Sequence, residues 1–184
     1  MTSFLLGLTA GLIACYKGIS VGGGPAGVGN AVNETVVFTF MALFAINVVG
    51  SMLCAREALR RMSTRYEGNR GGVIVNLSSV AARLGAPGQY VDYAAAKSAI
   101  DAFTIGLAKE VATEGIRVNA VRPGLIDTDI HASGGLPNRV NDLAHLVPMQ
   151  RGGTAEEVAQ AIVWLLSDAA SYTTMSLMDI SGGR

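Results

Sequence analysis

A tyrosine and a lysine four residues apart, Tyr93 and Lys97, open an alanine-rich run, and two serines, Ser78 and Ser79, stand a loop's length before them. On a helix, side chains at i and i+4 share a face, with Cβ atoms roughly 5–6 Å apart. A free phenol ionises near pH ~10, too high for acid–base work at neutral pH, and an adjacent ammonium lowers that value by stabilising the phenolate. A serine hydroxyl held against the same substrate oxygen would complete the group. Such a trio gives a proton to, or takes one from, an oxygen whose carbon exchanges a hydride. Without context, a tyrosine and lysine at this spacing are usually a solvated pair, so the elements around them matter.

Those elements are legible. Val73-Ile74-Val75, entered through Gly71-Gly72, suits a strand covered on both faces. Gly85, Pro87 and Gly88 punctuate the loop after it. From Tyr93 to about Glu114, Ala96, Ile100, Phe103, Leu107 and Val111 recur at helical spacing and predict an inward stripe. Gly115 ends that helix, Ile116 to Val121 forms the next strand, and Pro123-Gly124 breaks it. Thr154 and Glu157 make a capping box for a helix through Ser167, with Val158, Ile162, Leu165 and Leu166 inward and Trp164 anchoring the packing. Ser176 to Ile180 is the last strand. Three strands alternating with helices predict an α/β fold, and open sheets of that kind place ligands at the carboxyl edge of their strands.

Composition excludes several function classes. Fourteen basic and fourteen acidic residues balance, so charge suggests neither nucleic acid nor an anionic membrane as partner. A hydrophobic share of 50% and a mean hydropathy of +0.39 imply surface buried between subunits, or a segment that meets lipid. The two cysteines, Cys15 and Cys54, lie in apolar runs and predict buried free thiols in a reducing compartment. Two cysteines and two histidines without clustering predict no metal site. His131 and His145 fall in the mixed polar stretch 129–150, which fits a loop over the site better than a catalytic base.

The amino-terminal third is less orderly. Residues 1–16 are apolar without the basic start of a signal peptide, and predict a strand or short helix covering the core. Residues 18–30 are glycine-rich. Gly22-x-Gly24-x-x-Gly27 matches a dinucleotide fingerprint in which glycines let backbone amides approach a pyrophosphate. Its context is thin: the strand before it is three residues long, and no second strand with a ribose-binding acid comes after it. An ordinary loop is the plainer reading. Val36 to Ala55 carries no charge for twenty residues, long enough to span a bilayer. Thr39, Asn47, Gly50 and Ser51 dilute it, so a helix buried between the sheet and a second subunit is preferred.

The ordered set of motifs resembles the short-chain dehydrogenase/reductase family. It comprises Asn47 within Asn47-Val48-Val49-Gly50, Ser79, Tyr93-x-x-x-Lys97, Arg117-Val118-Asn119-Ala120-Val121-Arg122-Pro123-Gly124, Ile126, Thr128 and Asp179-Ile180-Ser181-Gly182-Gly183. The resemblance implies a Rossmann-like doubly wound parallel sheet in a single domain over 1–184, with an atypical segment at 1–35 and a catalytic half at 36–184. It implies Asn47, Ser79, Tyr93 and Lys97 as catalytic residues, Ser79 being preferred to Ser78 by its interval from Tyr93. It implies that Tyr93, Lys97, Pro123, Gly124, Ile126 and Thr128 contact NAD or NADP, and that Asn47 holds a water relaying protons to Lys97. One departure is large. About 70 residues separate Gly23 from Tyr93, fewer than the family uses between its phosphate loop and this helix, so the first half of the fold is missing or replaced.

The leading expectation is therefore an NAD(P)-dependent oxidoreductase that interconverts a small alcohol and its carbonyl, cytoplasmic and homo-oligomeric. The competing one is a catalytically inactive truncated relative that folds or oligomerises without holding a dinucleotide. A membrane-anchored protein is the third.

Overall fold

The computed structural model describes residues 41–184 apart from positions 43, 67, 69, 70, 89 and 134. The glycine run, the apolar amino terminus, Cys15 and the first part of the Val36–Ala55 stretch lie outside the described residues. Two compact units are distinguished, Met1–Ile46 and Asn47–Arg184, and the sheet with its helices belongs to the second.

Its centre is a parallel three-stranded sheet with order β1-β2-β5, in which β1 is Gly72–Leu77, β2 Ile116–Pro123 and β5 Leu177–Ile180. Ile74 pairs with Val118 and Val75 with Asn119 across β1 and β2, while Ala120 pairs with Leu177 across β2 and β5. The strands fall within two residues of where β-branched runs predict them, since strands covered by helices are rich in such residues. Val118, Ala120 and Val121 of β2 are all fully buried. Ile126–Asp127 (β3) and Gly153–Thr154 (β4) form a separate two-residue parallel pair.

Helix α1, Gly50–Met62, follows a π-helical turn, Ala45–Val49. A four-residue helix α2, Ala81–Leu84, comes after β1, and the long helix α3 covers Val91–Val111. Short helices α4, Ile130–Ser133, and α5, Arg139–Leu143, cross the region after β3. Ala155–Leu166 is α6, opened by the predicted capping box: the Thr154 side chain accepts from Glu157 N and the Glu157 side chain from Thr154 N. Ala55 of α1, Leu107, Ala108 and Val111 of α3, and Ile116 and Val118 of β2 form one core cluster, with Leu59, Met62, Ile74 and Phe103 packed against it. No helix among the described residues is long and apolar enough to cross a membrane.

The structure corrects two expectations about side-chain direction. Cys54 is exposed rather than buried, since Ala55 takes the core-facing position of α1. Trp164 is 40% and Leu166 48% exposed, so α6 is held by Val158 and Leu165 with half-buried Ile162 on the same face, while Val163, Trp164 and Leu166 face outward. The cause is periodicity: Val158 and Leu165 are seven apart, two helical turns, and Trp164 and Leu166 flank that line.

Buried polar groups fix the last strand. Asn119, with no exposed surface, donates to Thr173 O at 2.9 Å and accepts from Ser176 N at 3.0 Å. Between these, Met175 sits at φ 62, and its N–H reaches Val118 O at 2.7 Å. A side chain in this left-handed conformation costs about 1–2 kcal/mol, which glycine escapes. Met175 is 42% exposed and has little packing to lose. Met175→Gly is therefore expected to raise stability by about 1 kcal/mol, read as a higher urea midpoint at unchanged slope.

Candidate active site

The site is built where β1 ends. The ladder between β1 and β2 continues past the strand: Ser78 N donates to Val121 O at 2.9 Å and Val80 N to Pro123 O at 3.1 Å. These bonds press the Ser78–Val80 loop onto the carboxyl end of β2. Ser78, nearly fully buried, donates its hydroxyl to Lys97 O at 3.2 Å and so ties the loop to the second turn of α3. Its neighbour Ser79 points the other way. Ser79 Oγ accepts from Ala81 N at 3.1 Å, which leaves its hydrogen to donate.

The Ser79 hydroxyl is set against the Tyr93 phenol and favours its ionised form, and Lys97 Nζ lies 5.6 Å from the centre of the same ring. Ser79, Tyr93 and Lys97 thus form one cluster, with Lys97 buried. One of the three Lys97 N–H groups goes to Leu77 O at 2.8 Å, so the ammonium is anchored to the end of β1. A buried Asn76 side chain also donates to Thr104 Oγ1 at 2.9 Å, giving β1 a second polar tie to α3.

The electrostatics differ from the sequence expectation in one respect. Burial pushes the Tyr93 phenol above its ordinary value, and the Ser79 hydrogen bond opposes that only in part. Lys97, instead of bringing Tyr93 down, is itself lowered by burial, against an opposing pull from Asp101. The reason is geometric. Lys97 Nζ donates to the Leu77 carbonyl at 2.8 Å and stands 5.6 Å from the centre of the Tyr93 ring.

The other predicted residues take separate positions. Asn47 lies in the π-helical turn, half-buried, its carbonyl accepting from Ser51 Oγ at 2.8 Å; such turns often mark functional positions. Pro123 O accepts from Val80 N, and Gly124 N donates to Ile180 O at 2.9 Å. A Cβ at Gly124 would stand 2.8 Å from Ser181 Cα, so backbone packing between β2 and β5 requires this glycine. Ile126 pairs with Gly153, and its carbonyl sits 2.8 Å from His131 Nε2. Thr128 is exposed. A cleft of about 420 Å³ opens beside Ile126, lined also by Arg83, Arg151 and Asp179. Ser79, Tyr93 and Lys97 do not line it.

Two residues that sequence reasoning passed over join this end of the sheet, Asp101 and Arg122, paired at 2.8 Å. The available signal was an aspartate directly beside core-facing Ile100 on α3. Among the described residues no group of histidine, cysteine and acidic side chains could hold a metal ion.

A family model described as enoyl-(acyl carrier protein) reductase, one of those of the short-chain dehydrogenases/reductases, matches residues 19–184. The chain belongs to the short-chain dehydrogenase/reductase family. It is 62% identical over 142 residues to an uncharacterized oxidoreductase, YgfF, of Escherichia coli, covering 77% of this chain and 57% of that protein. It is 45% identical over 114 residues to the 3-oxoacyl-[acyl-carrier-protein] reductase FabG of Chlamydia muridarum, covering 62% of this chain and 45% of the relative. Among solved structures, a short-chain type dehydrogenase/reductase from Mycobacterium ulcerans superposes with TM-score 0.71 at 34% identity, over 80% of this chain and 52% of that one. A variant of ElxO with NADPH bound superposes with TM-score 0.69 at 30% identity, over 79% and 58%. The fold is that of the family, a Rossmann-like α/β sheet. The chain spans about half the length of the relatives it matches.

The phenol gives a direct check on this geometry. A tyrosine whose folded-state value is raised adds stability below the ordinary value of 10.0, and that stability is lost as pH rises through the folded value. The absorbance near ~295 nm that distinguishes the wild type from Tyr93→Phe should accordingly titrate above pH 10.0 in the free chain. A midpoint below 10.0 would mean that the ammonium outweighs burial.

Proposed function

We propose that residues 36–184 form the catalytic half of an NAD(P)-dependent oxidoreductase that interconverts a small alcohol and its carbonyl, with 1–35 as an atypical amino-terminal segment of the same domain. The observation that carries this reading is Lys97 Nζ 5.6 Å from the Tyr93 ring, with the Ser79 hydroxyl favouring the phenolate beside it. The similarity to oxidoreductases and to a NADPH-bound structure supports it.

The residues present fit the nicotinamide–ribose half of a dinucleotide. Lys97 uses one N–H on Leu77 O and has donors left for ribose hydroxyls. The exposed Thr128 and Ile126 come after β2 on the edge where open sheets take their ligands. Pro123 and Gly124, whose carbonyl and amide respectively already serve the sheet, would shape that edge more than bond to the cofactor. When bound, the dinucleotide supplies or accepts the hydride at the substrate carbon. In reduction, Tyr93 gives its proton to the substrate oxygen and Ser79 donates a hydrogen bond to that oxygen. In oxidation, Tyr93 takes the proton back. Lys97 would stabilise the phenolate, and Asn47 would hold the water that returns protons to Lys97.

Self-association belongs to the same reading, supported by exposed Val163, Trp164 and Leu166 on α6 and by Tyr172. The competing reading is a relative that folds or oligomerises without holding a dinucleotide.

Titration with NADH and with NADPH separates the two. Binding should change the fluorescence of one of them, and a flat response at millimolar concentration of both would leave the inactive reading. With a binding chain in hand, Tyr93→Phe should lower turnover by about 10²–10⁴-fold while the unfolding midpoint stays put. Undiminished turnover in that variant would remove Tyr93 from the chemistry.

A further inference from the structure

Asp101 lies one helical turn beyond Lys97 on α3, and both are at least nine-tenths buried, at 6% and 9% exposure. Charged groups at that depth are ordinarily paired on every side. Asp101 is paired on one. Arg122, at the end of β2, donates to Asp101 Oδ2 through Nε at 3.0 Å and Nη2 at 2.8 Å, both bonds falling on a single oxygen. The second oxygen, Oδ1, is closed to solvent and has no hydrogen-bond partner among the described residues. An acceptor left bare in an interior is costly, and a charged one more so. The positive group on its own helix face is Lys97, at i and i+4.

The carboxylate is also where the parts of the site are joined. Arg122 adjoins Pro123 and Gly124 and meets Asp179 of β5 at 3.6 Å. Asp179 meets Arg83, on the helix directly after Ser79, at 3.5 Å. A run of alternating charges therefore links α3, β2, β5 and α2, the elements that carry or flank Tyr93, Lys97, Pro123 and Ser79.

We propose that Asp101 is a positioning residue for Lys97. Anchored by Arg122 and one turn along the same face of α3, its buried carboxylate sets the field in which Lys97 and Tyr93 work. The catalytic consequence rests on the proposed function; the coupling of the two side chains does not.

Among the described residues, the charged and titratable groups that act on Lys97 are Tyr93 and Asp101 on α3, and Asp101 leads on to Arg122 of β2, Asp179 of β5 and Arg83 of α2. Strand β1 offers only the Leu77 carbonyl. Burial lowers the Lys97 ammonium and Asp101 opposes that, so without Asp101 the lowering is unopposed.

The full chain has three lysines, Lys17, Lys97 and Lys109. With lysine labelled at 13Cε, NMR should give a separate titration for each, the Lys97 signal being the one absent from Lys97→Met. In Asp101→Asn the Lys97 midpoint should fall by about one pH unit, roughly tenfold in proton affinity, with Lys109 unmoved. Asp101→Glu should restore it. Arg122→Gln, which strips the carboxylate of its competing cation, should raise the Lys97 midpoint, and it serves as the check if Asp101→Asn does not fold. An unchanged Lys97 midpoint in the variant that folds, or an equal shift at Lys109, would overturn the proposal.

Carbonyl reduction needs neutral Tyr93 and charged Lys97, and losing a nearby negative charge lowers both values. The alkaline limb of the rate in Asp101→Asn should therefore move to lower pH. If the lysine titrations couple but the wild type has no turnover, the proposed function fails and the pair stands. If turnover is present with Lys97 unmoved, the pair fails and the function stands.

Discussion

Two backbone bonds, from Ser78 N to Val121 O and from Val80 N to Pro123 O, hold this molecule's candidate chemistry together. They extend the parallel ladder beyond the last residue of β1, into residues that would otherwise be free loop. A parallel pair cannot turn back on itself as a hairpin does, so its strand ends must be tied by the residues just past them. Here the tie fixes Ser79, and through the Ser78 hydroxyl it fixes the second turn of α3 as well. The Lys97 bond to Leu77 O and the Asn76 bond to Thr104 hold the same end of β1 to α3.

On that frame, burial and charge oppose each other. Lys97 and Asp101 are buried side chains of opposite charge one turn apart, and Tyr93 shares the same face. Desolvation works against each charged form, raising the phenol and lowering the ammonium. The Leu77 carbonyl and Arg122 offset part of that cost. Under the proposed function, the contact of ammonium with phenolate belongs to the bound state.

Much of this is legible in the sequence, for identifiable reasons. The strands at 72–77 and 116–123 are readable because their β-branched residues cluster between glycine and proline breaks, even though Asn76, Arg117 and Asn119 interrupt the apolar run. Helix α3 is readable because alanine propensity and a helical stripe agree over the same residues. Thr154 and Glu157 announce α6, since a capping box needs those two types at that spacing. Side-chain direction is harder. Nothing in the run around Trp164 and Leu166 says which apolar residues of α6 face the sheet. The Tyr93–Lys97 spacing puts both on one face, yet only coordinates show the ammonium bonded to Leu77 rather than to the phenol oxygen. Gly124 reads in the sequence as a cofactor contact, and its immediate cause is the approach of Ser181. Asp101 escapes notice because an aspartate on a helix is ordinarily solvated, and its burial depends on Arg122, a residue twenty-one positions away in sequence.

The claim at the centre is that one phenol, held by Ser79 and attended by Lys97, handles the proton of a hydride transfer. Deuterium transfer tests it most directly, using NADPH and NADH deuterated at C4 with a small 3-oxoester as the carbonyl probe and mass spectrometry of the alcohol. The account predicts deuterium at the carbinol carbon with the wild-type chain and a loss of that product with Tyr93→Phe. Deuterated alcohol formed equally by both chains, or by neither with either cofactor, would contradict it.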